Sequence, residues 1–342
     1  MPFGKHTPVP KRDKISVEFL VRQIQKSVNI ELEACASGAT CDNRFVTEQE
    51  LHRPGLALTG YVEHFTYQRI QILGNTECDF LMEMPPDKQR EAFSNLVNYN
   101  VPVIFLTNGN SIGEPLMNMA DEAGIPIFRS PIETTRFMFL LRDFLDDQFA
   151  MQTVVHASMV DVYGIGILIA GKSGIGKSEV ALDLVERGHR LVADDVVIIT
   201  KKNNILIAAA TEMSKHFMEI RGLGIVDVMS MFGIRSVRYQ KRVEVVVDLY
   251  LWDQDEQINR TGLEHDEVNI LDVNVPIIHL PITPGKNITV IAEVIAMNHL
   301  LSHYGYDAAK AFQEKLRKKI DDKSRTNKGL RRAIDYFEGD FE

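Results

Sequence analysis

Cysteine and long apolar runs are scarce in this sequence, and basic residues are outnumbered by acidic ones. Its three cysteines, Cys35, Cys41 and Cys78, have neither an even count nor a metal-ligand spacing. Cys35 and Cys41 could pair, but we expect free buried thiols, which suit a reducing cytoplasm. The first residues lack the apolar segment of a signal peptide, and no later run approaches the length of a membrane span. We therefore expect a soluble, cytoplasmic protein that does not act at a membrane.

The charge balance argues against a nucleic-acid partner. The sequence carries 47 acidic and 38 basic residues, which gives a net charge of −9. Such a surface repels polyanions, so any phosphate-binding site must be local. Hydrophobic residues at 45% and charged residues at 25% are ordinary for a globular protein, and disorder is not expected.

A chain of 342 residues is too long for one typical core, and we expect two domains, residues 1–150 and 151–342. In the first, Ser16 is predicted to cap a helix, and helices at 114–123 and 134–149 flank a short strand at 126–128. This alternation predicts a small α/β domain. Because it holds no constellation of catalytic residue types, we expect a structural or regulatory role for it.

The segment from Gly171 to Ser178, GKSGIGKS, is the most informative stretch of the chain. It fits the phosphate-binding loop pattern G-x-x-x-x-G-K-[ST], although eight such residues alone could be a flexible surface turn. The context favours the loop, because an apolar, β-branched run precedes it and a helical pattern follows. The predicted nucleotide-binding residues are Gly171, Lys172, Ser173, Gly174, Ile175, Gly176, Lys177 and Ser178.

Two side chains of this loop have defined chemistry. Lys177 is expected to neutralise the β and γ phosphates of a nucleotide, and Ser178 to hold Mg²⁺ through its hydroxyl. The glycines let backbone N–H groups close round the phosphates at the positive end of the following helix.

An aspartate pair, Asp194-Asp195, lies within the apolar stretch from 189 to 200. A carboxylate at the end of an apolar strand after a phosphate loop is a candidate for organising Mg²⁺. In a regular strand only one of two adjacent side chains could face the γ-phosphate. The alternative, two aspartates in a surface turn, is disfavoured by the apolar residues around them.

Four further segments complete the second domain. A strand is predicted at 154–159 and a helix at 289–304, while the basic tail from Lys315 is interpreted as a solvated helix face rather than a docking surface for an acidic partner. The segment from Glu219 to Val228, EIRGLGIVDV, could be a plain strand and turn. On the 289–304 helix the expected buried side consists of Val290, Ile291, Val294, Ile295 and Leu301.

Taken together, these segments resemble the bacterial HPr kinase/phosphorylase family. The likeness lies in GKSGIGKSE, HRLVADD, EIRGLGIVDV and AEVIAMN, and upstream in LTGYVEHF and RIQILGNTE, so that it covers nearly the whole chain. The resemblance implies an α/β fold, with an N-terminal domain like that of Mur ligases. It also implies a catalytic phosphate-loop domain like that of phosphoenolpyruvate carboxykinase.

The resemblance further implies a bifunctional protein-serine kinase/phosphorylase. Such enzymes use ATP or pyrophosphate with Mg²⁺ to phosphorylate a serine of the phosphocarrier protein HPr or a paralogue. They use inorganic phosphate to remove that group as pyrophosphate, regulate carbon metabolism and assemble as homohexamers.

Carried over residue by residue, the family's active-site positions match His156, Lys177, the pair Asp194-Asp195, and Arg260. Its Mg²⁺ ligands match Ser178 and Glu219. Alignment of the family's strand with the loop lysine puts Asp195 at the acid/base position, although the chemistry alone does not choose between the two aspartates.

Two positions depart from the family pattern. The second loop residue, usually acidic, is Lys172, and a turn usually written with two arginines is PITPGK, with Thr283 and Lys286. In the family that turn is tied to dephosphorylation, so the resemblance implies a higher phosphate requirement for the reverse reaction here.

Two other functions compete with this interpretation. A different phosphate-loop kinase or NTPase would explain residues 171–178 but not EIRGLGIVDV. A nucleotide-sensing regulator without phosphoryl transfer would not need both His156 and the aspartate pair.

Overall fold

The computed structural model describes residues 7–35, 41–252, 266–283 and 285–325, with side chains to residue 320 apart from residues 27 and 28.

The helices are α1 (Val17–Gln23), α2 (Gly55–Leu58), α3 (Asn75–Met82), α4 (Pro86–Val97), α5 (Glu114–Glu122), α6 (Thr134–Gln148), α7 (Lys177–Glu186), α8 (Val228–Phe232), α9 (Ile288–His303) and α10 (Ala308–Arg325). The strands of the first half are β1 (Val9–Pro10), β2 (Ile15–Ser16), β3 (Glu33–Ala34), β4 (Phe45–Val46), β5 (Leu51–His52), β6 (Ile70–Leu73), β7 (Ile104–Leu106) and β8 (Ile127–Arg129). Those of the second half are β9 (Met151–His156), β10 (Ser158–Val162), β11 (Ile165–Gly171), β12 (Arg190–Ala193), β13 (Val196–Lys202), β14 (Ile205–Ala210), β15 (Phe217–Ile220), β16 (Gly224–Asp227), β17 (Gln240–Arg242), β18 (Val245–Leu251), β19 (Asp266–Ile270) and β20 (Val273–Ile282).

The chain divides into two compact units, one from Pro8 to Gln152 and one containing the described residues from Thr153 onward. In the amino-terminal unit a sheet has the order β3-β8-β7-β6-β5. Strands β5 to β8 are parallel and β3 is antiparallel to β8. Helices α2 to α5 contribute to the core on one face, and α1 and α6 to the core on the other. This three-layer arrangement confirms the predicted α/β fold of the first half.

Local patterns in the amino-terminal unit were predicted with mixed success. The Oγ of Ser16 accepts a hydrogen bond from the backbone N–H of Phe19, 3.1 Å away, and so caps α1 as predicted. All three cysteines are free, but only Cys78 is buried, whereas Cys35 and Cys41 are partly exposed. The expectation of three buried thiols was therefore wrong for two of them. Burial raises the pKa of the Cys78 thiol to about 12, so this cysteine remains a neutral thiol.

The carboxy-terminal unit is built from two sheets. One has the order β12-β10-β11-β18-β20-β19, and in the other β9, β13, β14 and β17 lie side by side. Within the first sheet β11, β18 and β20 are parallel, so their carboxyl ends meet at one edge. Helices α7 and α9 pack on one face of this sheet, and β13 and β14 contribute to the core on its other face. The parallel centre of the sheet therefore carries the loop that follows β11 at an edge where ligands commonly bind.

Two predictions for this unit were wrong in detail. The single strand expected at 154–159 is divided at Ala157 into β9 and β10, which belong to different sheets. Helix α9 was found as predicted, but its buried side differs: Ile288, Thr289, Ala292 and Ala296 are buried, whereas Val290, Val294 and Leu301 are at least 40% exposed. Because α9 is apolar on most sides, hydrophobic spacing could not select the packed face; the small alanines allow the close approach to β11.

Two observations bear on the surface of the chain. Residues 315–320 of α10 are exposed, as expected for a solvated basic face. Across the described ranges, none of the helices combines the length and apolar character needed to cross a bilayer.

Candidate active site

The segment from Gly171 to Ser178 connects β11 to α7, in the strand, loop and helix order that the sequence predicted. Gly171 has φ 141°, and a Cβ added there would stand 2.6 Å from the carbonyl oxygen of Leu249. Gly176, with φ 106°, precedes α7 and caps it without a side-chain hydrogen bond. The cap of α7 thus supplies no side-chain acceptor for the first N–H groups of the helix, which carry the positive end of the helix dipole at the end of the loop.

Lys177 is held within this loop. Its Nζ donates to the carbonyl oxygens of Gly171 and Lys172, each at 3.3 Å. These contacts fold the ammonium group back over the loop, where it can meet a bound phosphate. The role of Lys177 as the cation that neutralises phosphate charge stays a prediction.

Asp194 lies beneath the loop serine and is only 2% exposed. Its Oδ1 accepts hydrogen bonds from the Oγ of Ser158 at 2.5 Å and from the Oγ of Ser178 at 3.1 Å. Its Oδ2 is also buried and has no hydrogen-bond partner among the described residues. An unpaired buried carboxylate oxygen is costly, and a cation bound beside it would relieve that cost.

Burial raises the pKa of Asp194, and the hydrogen bonds from Ser158 and Ser178 partly oppose that rise. A nearby divalent cation would favour the charged carboxylate and lower the pKa again. No three His, Cys, Asp or Glu side chains cluster as a metal site within the part of the chain that the structure describes. Mg²⁺ does not require such a cluster, because it uses one or two protein oxygens together with substrate phosphates and water. The oxygens of Ser178 and Asp194 therefore fit Mg²⁺.

Asp195 points away from this buried position. It has φ 62° and is the second residue of the turn between β12 and β13. Its side chain is 64% exposed and lies 3.8 Å, from Oδ1 to Nδ1, from the imidazole of His156. The left-handed backbone at Asp195 interrupts the strand, so the side chains of Asp194 and Asp195 lie in different surroundings. The stretch 189–200 is thus two strands joined by a turn that contains both aspartates, the alternative that the apolar flanks disfavoured, although only Asp195 is exposed.

Glu219 belongs to the hairpin formed by β15 and β16, in which Glu219 faces Ile225 across the ladder. The EIRGLGIVDV segment is therefore a strand and turn, one of the interpretations the sequence left open. A cavity of about 400 Å³ brings Glu219 together with both aspartates. Its remaining lining residues are Met213, Ser214, Phe217, Met218 and Ile225. The cavity is thus an open site with three carboxylates and apolar walls beside the phosphate loop.

The remaining predicted positions divide between the described and undescribed parts of the chain. Strand β20 ends at the same edge of the sheet as β11, and a turn follows in which the N–H of Lys286 donates to the carbonyl oxygen of Thr283 at 3.2 Å. Arg260 falls in 253–265, outside the described residues.

Sequence reasoning missed two residues at this site. Ser158 is fully buried and hydrogen-bonds Asp194 from β10, 36 positions earlier in the chain. Arg221, in the turn of the β15–β16 hairpin, lies against Gly174 of the loop. Ser158 belongs to no local motif with a known spacing, and only the pairing of distant strands brings it to the loop. Arg221 lies within EIRGLGIVDV, but the segment itself does not indicate a contact with Gly174.

A strand–glycine loop–helix with a lysine, a serine hydroxyl and a buried carboxylate defines a phosphate-loop α/β protein. Residues 15–145 match the family described as HPr Serine kinase N terminus, and residues 147–316 match HPr Serine kinase C-terminal domain. The chain belongs to the HPr serine kinase family.

Two relatives that the chain matches over nearly their whole length agree with this assignment. The chain is 51% identical over 339 residues to the HPr kinase/phosphorylase of Chloroherpeton thalassium, covering 99% of each chain. It is 48% identical over 334 residues to that of Prosthecochloris aestuarii, covering 97% of each. A solved structure titled as the Hpr(Ser) kinase/phosphatase from Coxiella burnetii is 35% identical, covers 47% of this chain and 98% of its own, and aligns with a TM-score of 0.43.

Proposed function

We propose that this protein is a bifunctional kinase/phosphorylase that adds a phosphoryl group to a serine of HPr and removes it again. Forward transfer uses ATP or pyrophosphate with Mg²⁺, and reverse transfer uses inorganic phosphate and releases pyrophosphate. Family membership supports an enzyme over a nucleotide sensor, and a protein-serine kinase over another phosphate-loop NTPase. The second domain predicted from the sequence (151–342) would catalyse both reactions, and the first (1–150) would have a structural or regulatory role.

The observation that carries the proposal is that the side chains of Asp194 and Asp195 lie in different surroundings. Asp194 is buried against the hydroxyl of Ser178, whereas Asp195 is exposed and close to His156. A serine hydroxyl needs a base to remove its proton, and the same group must return a proton when serine leaves. That group must reach the acceptor, so the exposed carboxylate of Asp195 is the better acid/base.

The other residues have complementary roles in the proposal. Lys177 would stabilise the charge of the phosphoryl group during transfer. Ser178 and Glu219 would hold Mg²⁺, and Asp194 would accept the hydrogen bond of the Ser178 hydroxyl. Held by these residues, the metal would supply positive charge that offsets the charge of the phosphates. His156, whose imidazole lies beside the carboxylate of Asp195, would orient that carboxylate. Arg260 would contribute to the same active site. Ser158 would position Asp194 through its short hydrogen bond.

The acceptor is proposed to enter through the cavity lined by Asp195 and Glu219. Its apolar lining residues, including Phe217 and Ile225, can contact the surface of a folded protein around its acceptor serine. The 42% exposure of Phe217 and 78% exposure of Ile225 suit docking of a protein better than enclosure of a small molecule. HPr or a paralogue is the proposed substrate, in a cytoplasmic homohexamer that regulates carbon metabolism.

The test incubates the pure protein with HPr, Mg²⁺ and ATP labelled on its γ-phosphate. Label should pass to HPr, and later addition of inorganic phosphate should return it as labelled pyrophosphate. HPr whose acceptor serine is replaced by alanine is the matched control and should remain unlabelled. Release of labelled phosphate without labelled HPr would identify a plain NTPase and refute the proposal.

A further inference from the structure

A cavity of about 490 Å³ lies at the edge of the central sheet of the carboxy-terminal unit, opposite the phosphate loop. Its walls come from the connection between β17 and β18, from the start of β20, from the β13–β14 and β19–β20 turns, and from the last turns of α9. Strands β11, β18 and β20 are parallel, so these walls lie at the amino-terminal ends of strands whose carboxyl ends meet at the candidate active site. The cavity has the size of a small-molecule site and is separate from the phosphate loop.

The basic side chains of this cavity are Arg242, His299 and His303. The guanidinium of Arg242 forms neither an ion pair nor a hydrogen bond with any side chain in the part of the chain that the structure describes. His299 and His303 are one turn apart on α9, and their rings meet edge to face with centroids 4.7 Å apart. The Nδ1 of His303 donates to the carbonyl oxygen of His299 at 3.0 Å, which leaves Nε2 of that ring for a ligand.

The carboxylates of the cavity already have other partners. The Oε2 of Glu244 accepts hydrogen bonds from the N–H of Gly166 at 2.7 Å and from the Nζ of Lys241 at 2.6 Å. Asp272 is 95% exposed, and its Oδ2 lies 3.9 Å from the Nζ of Lys201. The lining carboxylates therefore do not neutralise the basic side chains of the cavity.

The basic side chains also affect one another. Burial lowers the pKa of His299, as do the neighbouring His303 and Arg242, whereas Glu244 opposes them. The His299 ring is therefore neutral near pH 7. An anion bound beside it would favour the protonated ring and would relieve the repulsion between the three basic groups.

We propose that this cavity binds a small organic carboxylate, held by the guanidinium of Arg242 and the imidazoles of His299 and His303. A planar guanidinium pairs with a carboxylate through two parallel hydrogen bonds. The carboxy-terminal end of α9 adds partial negative charge at the cavity, and a singly charged carboxylate group tolerates that charge better than a dianionic phosphate does. This inference goes beyond the proposed function and does not depend on it.

The rest of the lining fits a molecule larger than a single carboxylate group. Asn204 and Asn274 contribute side-chain amides. The Oδ1 of Asn274 accepts a hydrogen bond from the Nδ2 of Asn269 at 2.8 Å, which leaves the N–H groups of the Asn274 amide for a hydroxyl or a second carboxylate. Val273 and Pro276 add an apolar wall. A dicarboxylate or hydroxycarboxylate therefore matches the cavity.

The experiment measures binding of succinate, malate and tartrate to the full chain by calorimetry, with succinamide as the uncharged control. At least one carboxylate should bind wild type, and Arg242→Gln should weaken its binding by about tenfold or more, the loss expected for a charge-assisted pair. Arg242→Lys should recover only part of this loss, because it restores the charge but not the fork. Arg136→Gln, which removes an exposed arginine from α6 in the other unit, should bind like wild type.

Two further variants separate this cavity from the phosphate loop and from a purely structural effect. Lys177→Ala alters the loop and should leave carboxylate binding unchanged. Carboxylate binding should also persist at saturating pyrophosphate, because the two sites lie at opposite edges of the sheet. His299→Gln should weaken the binding of carboxylate without changing the midpoint of urea unfolding by a matching amount.

Binding should be coupled to proton uptake, because a bound anion raises the pKa of His299. The titratable and charged groups that face this ring are His303, Arg242 and Glu244, together with Asp272 of the same cavity. Calorimetry near pH 7 in buffers with different heats of ionisation measures the uptake, since the carboxylates of the probes are already ionised there. Wild type should take up protons, and His299→Gln should take up fewer.

Four results would overturn the inference. They are failure of wild type to bind any of the three carboxylates at millimolar concentration, equal binding of succinamide, wild-type affinity in Arg242→Gln, and loss of binding in Lys177→Ala with retention in Arg242→Gln. The last result would place the carboxylate in the phosphate loop. Failure of wild type to label HPr would refute the proposed function instead, since none of these measurements uses HPr.

Discussion

In each unit of this protein a strand of a parallel sheet is followed by a turn that contains glycine and then by a helix. The two turns differ in whether their polar and charged groups are paired within the protein. In the amino-terminal unit, β6 ends at Leu73 and α3 begins after Gly74. There Glu77, 5% exposed, accepts a hydrogen bond from the N–H of Gly74 at 3.0 Å and pairs with Arg53 at 2.8 Å. The protein's own carboxylate thus occupies the anion position at the start of this helix.

The neighbouring polar groups of that turn are also paired with each other. Thr107 Oγ1 lies 2.7 Å from Thr134 Oγ1, and a Cβ at Gly74 would stand 2.6 Å from the same Thr134 oxygen. In the carboxy-terminal unit, by contrast, Lys177 and Arg221 have no carboxylate partner in the described ranges, and Oδ2 of Asp194 is buried without a hydrogen bond. A turn that satisfies itself stabilises the fold, whereas a turn that leaves charges unmatched is available to a ligand. This contrast supports the proposal that the second unit is the catalytic one.

The largest effect should come from removing the loop cation. Lys177→Ala should reduce both phosphorylation and dephosphorylation by at least about 10²–10³-fold, because one ammonium stabilises the same phosphoryl charge in either direction. The measurement is the rate of each reaction with HPr at saturating nucleotide or phosphate. A folded variant that keeps either rate near wild type would contradict the role of Lys177.

The two aspartates should respond differently to loss of charge. Asp195→Asn should slow serine phosphorylation by about 10²-fold or more while ATP still binds, as expected for a general base. Asp194→Asn should instead raise the Mg²⁺ concentration needed for half-maximal rate. Parallel Mg²⁺ titrations of both variants test this division, and it is wrong if Asp194→Asn is the variant that loses rate at saturating Mg²⁺.

Ser158 should have a smaller effect that is confined to the metal. Ser158→Ala removes the 2.5 Å hydrogen bond to Asp194, so the Mg²⁺ requirement should rise by about tenfold, in line with a hydrogen bond to a charged group. A purely structural role would lower the midpoint of urea unfolding and leave the Mg²⁺ requirement of the folded enzyme unchanged. Ser158→Thr, which keeps the hydroxyl, should retain more of the wild-type Mg²⁺ dependence.

The smallest expected effect on rate comes from the turn at Gly74, whose polar groups are paired within the protein. Glu77→Gln should lower the free energy of unfolding by about 1–3 kcal/mol, because it weakens the contacts with Gly74 and Arg53, yet leave the rate per folded enzyme unchanged. Labelling of buried Cys78, next in the chain, should become faster by a matching factor. If Glu77→Gln changed the affinity for pyrophosphate, the contrast between the two turns would fail.

The sequence predicted those parts of the site that local spacing determines. The loop and its lysine, the strand before it and the helix after it follow from an eight-residue pattern and its apolar flanks, and β11 and α7 agree with it. The α5 and α6 helices of the first unit were likewise predicted to within one residue. The family resemblance extended this to the whole chain.

What the sequence could not predict depends on contacts between distant segments. Strand β6 was missed because its Gln71 interrupts the apolar pattern; that side chain is fully buried and donates to the carbonyl oxygens of Thr66 and Arg69. The left-handed turn that separates Asp194 from Asp195 has no local signal, because either aspartate could end the strand. The approach of Arg221 to Gly174 depends on how the β15–β16 hairpin packs beside α7.

The most direct test of the contrast between the two turns is a crystal structure with Mg²⁺ and pyrophosphate. We expect pyrophosphate within Gly171–Ser178 beneath the Lys177 ammonium, Mg²⁺ on the hydroxyl of Ser178 beside Asp194, and no anion at Gly74, where Glu77 remains in place. Pyrophosphate bound at Gly74, or a loop that stays empty at saturating pyrophosphate, would contradict the account.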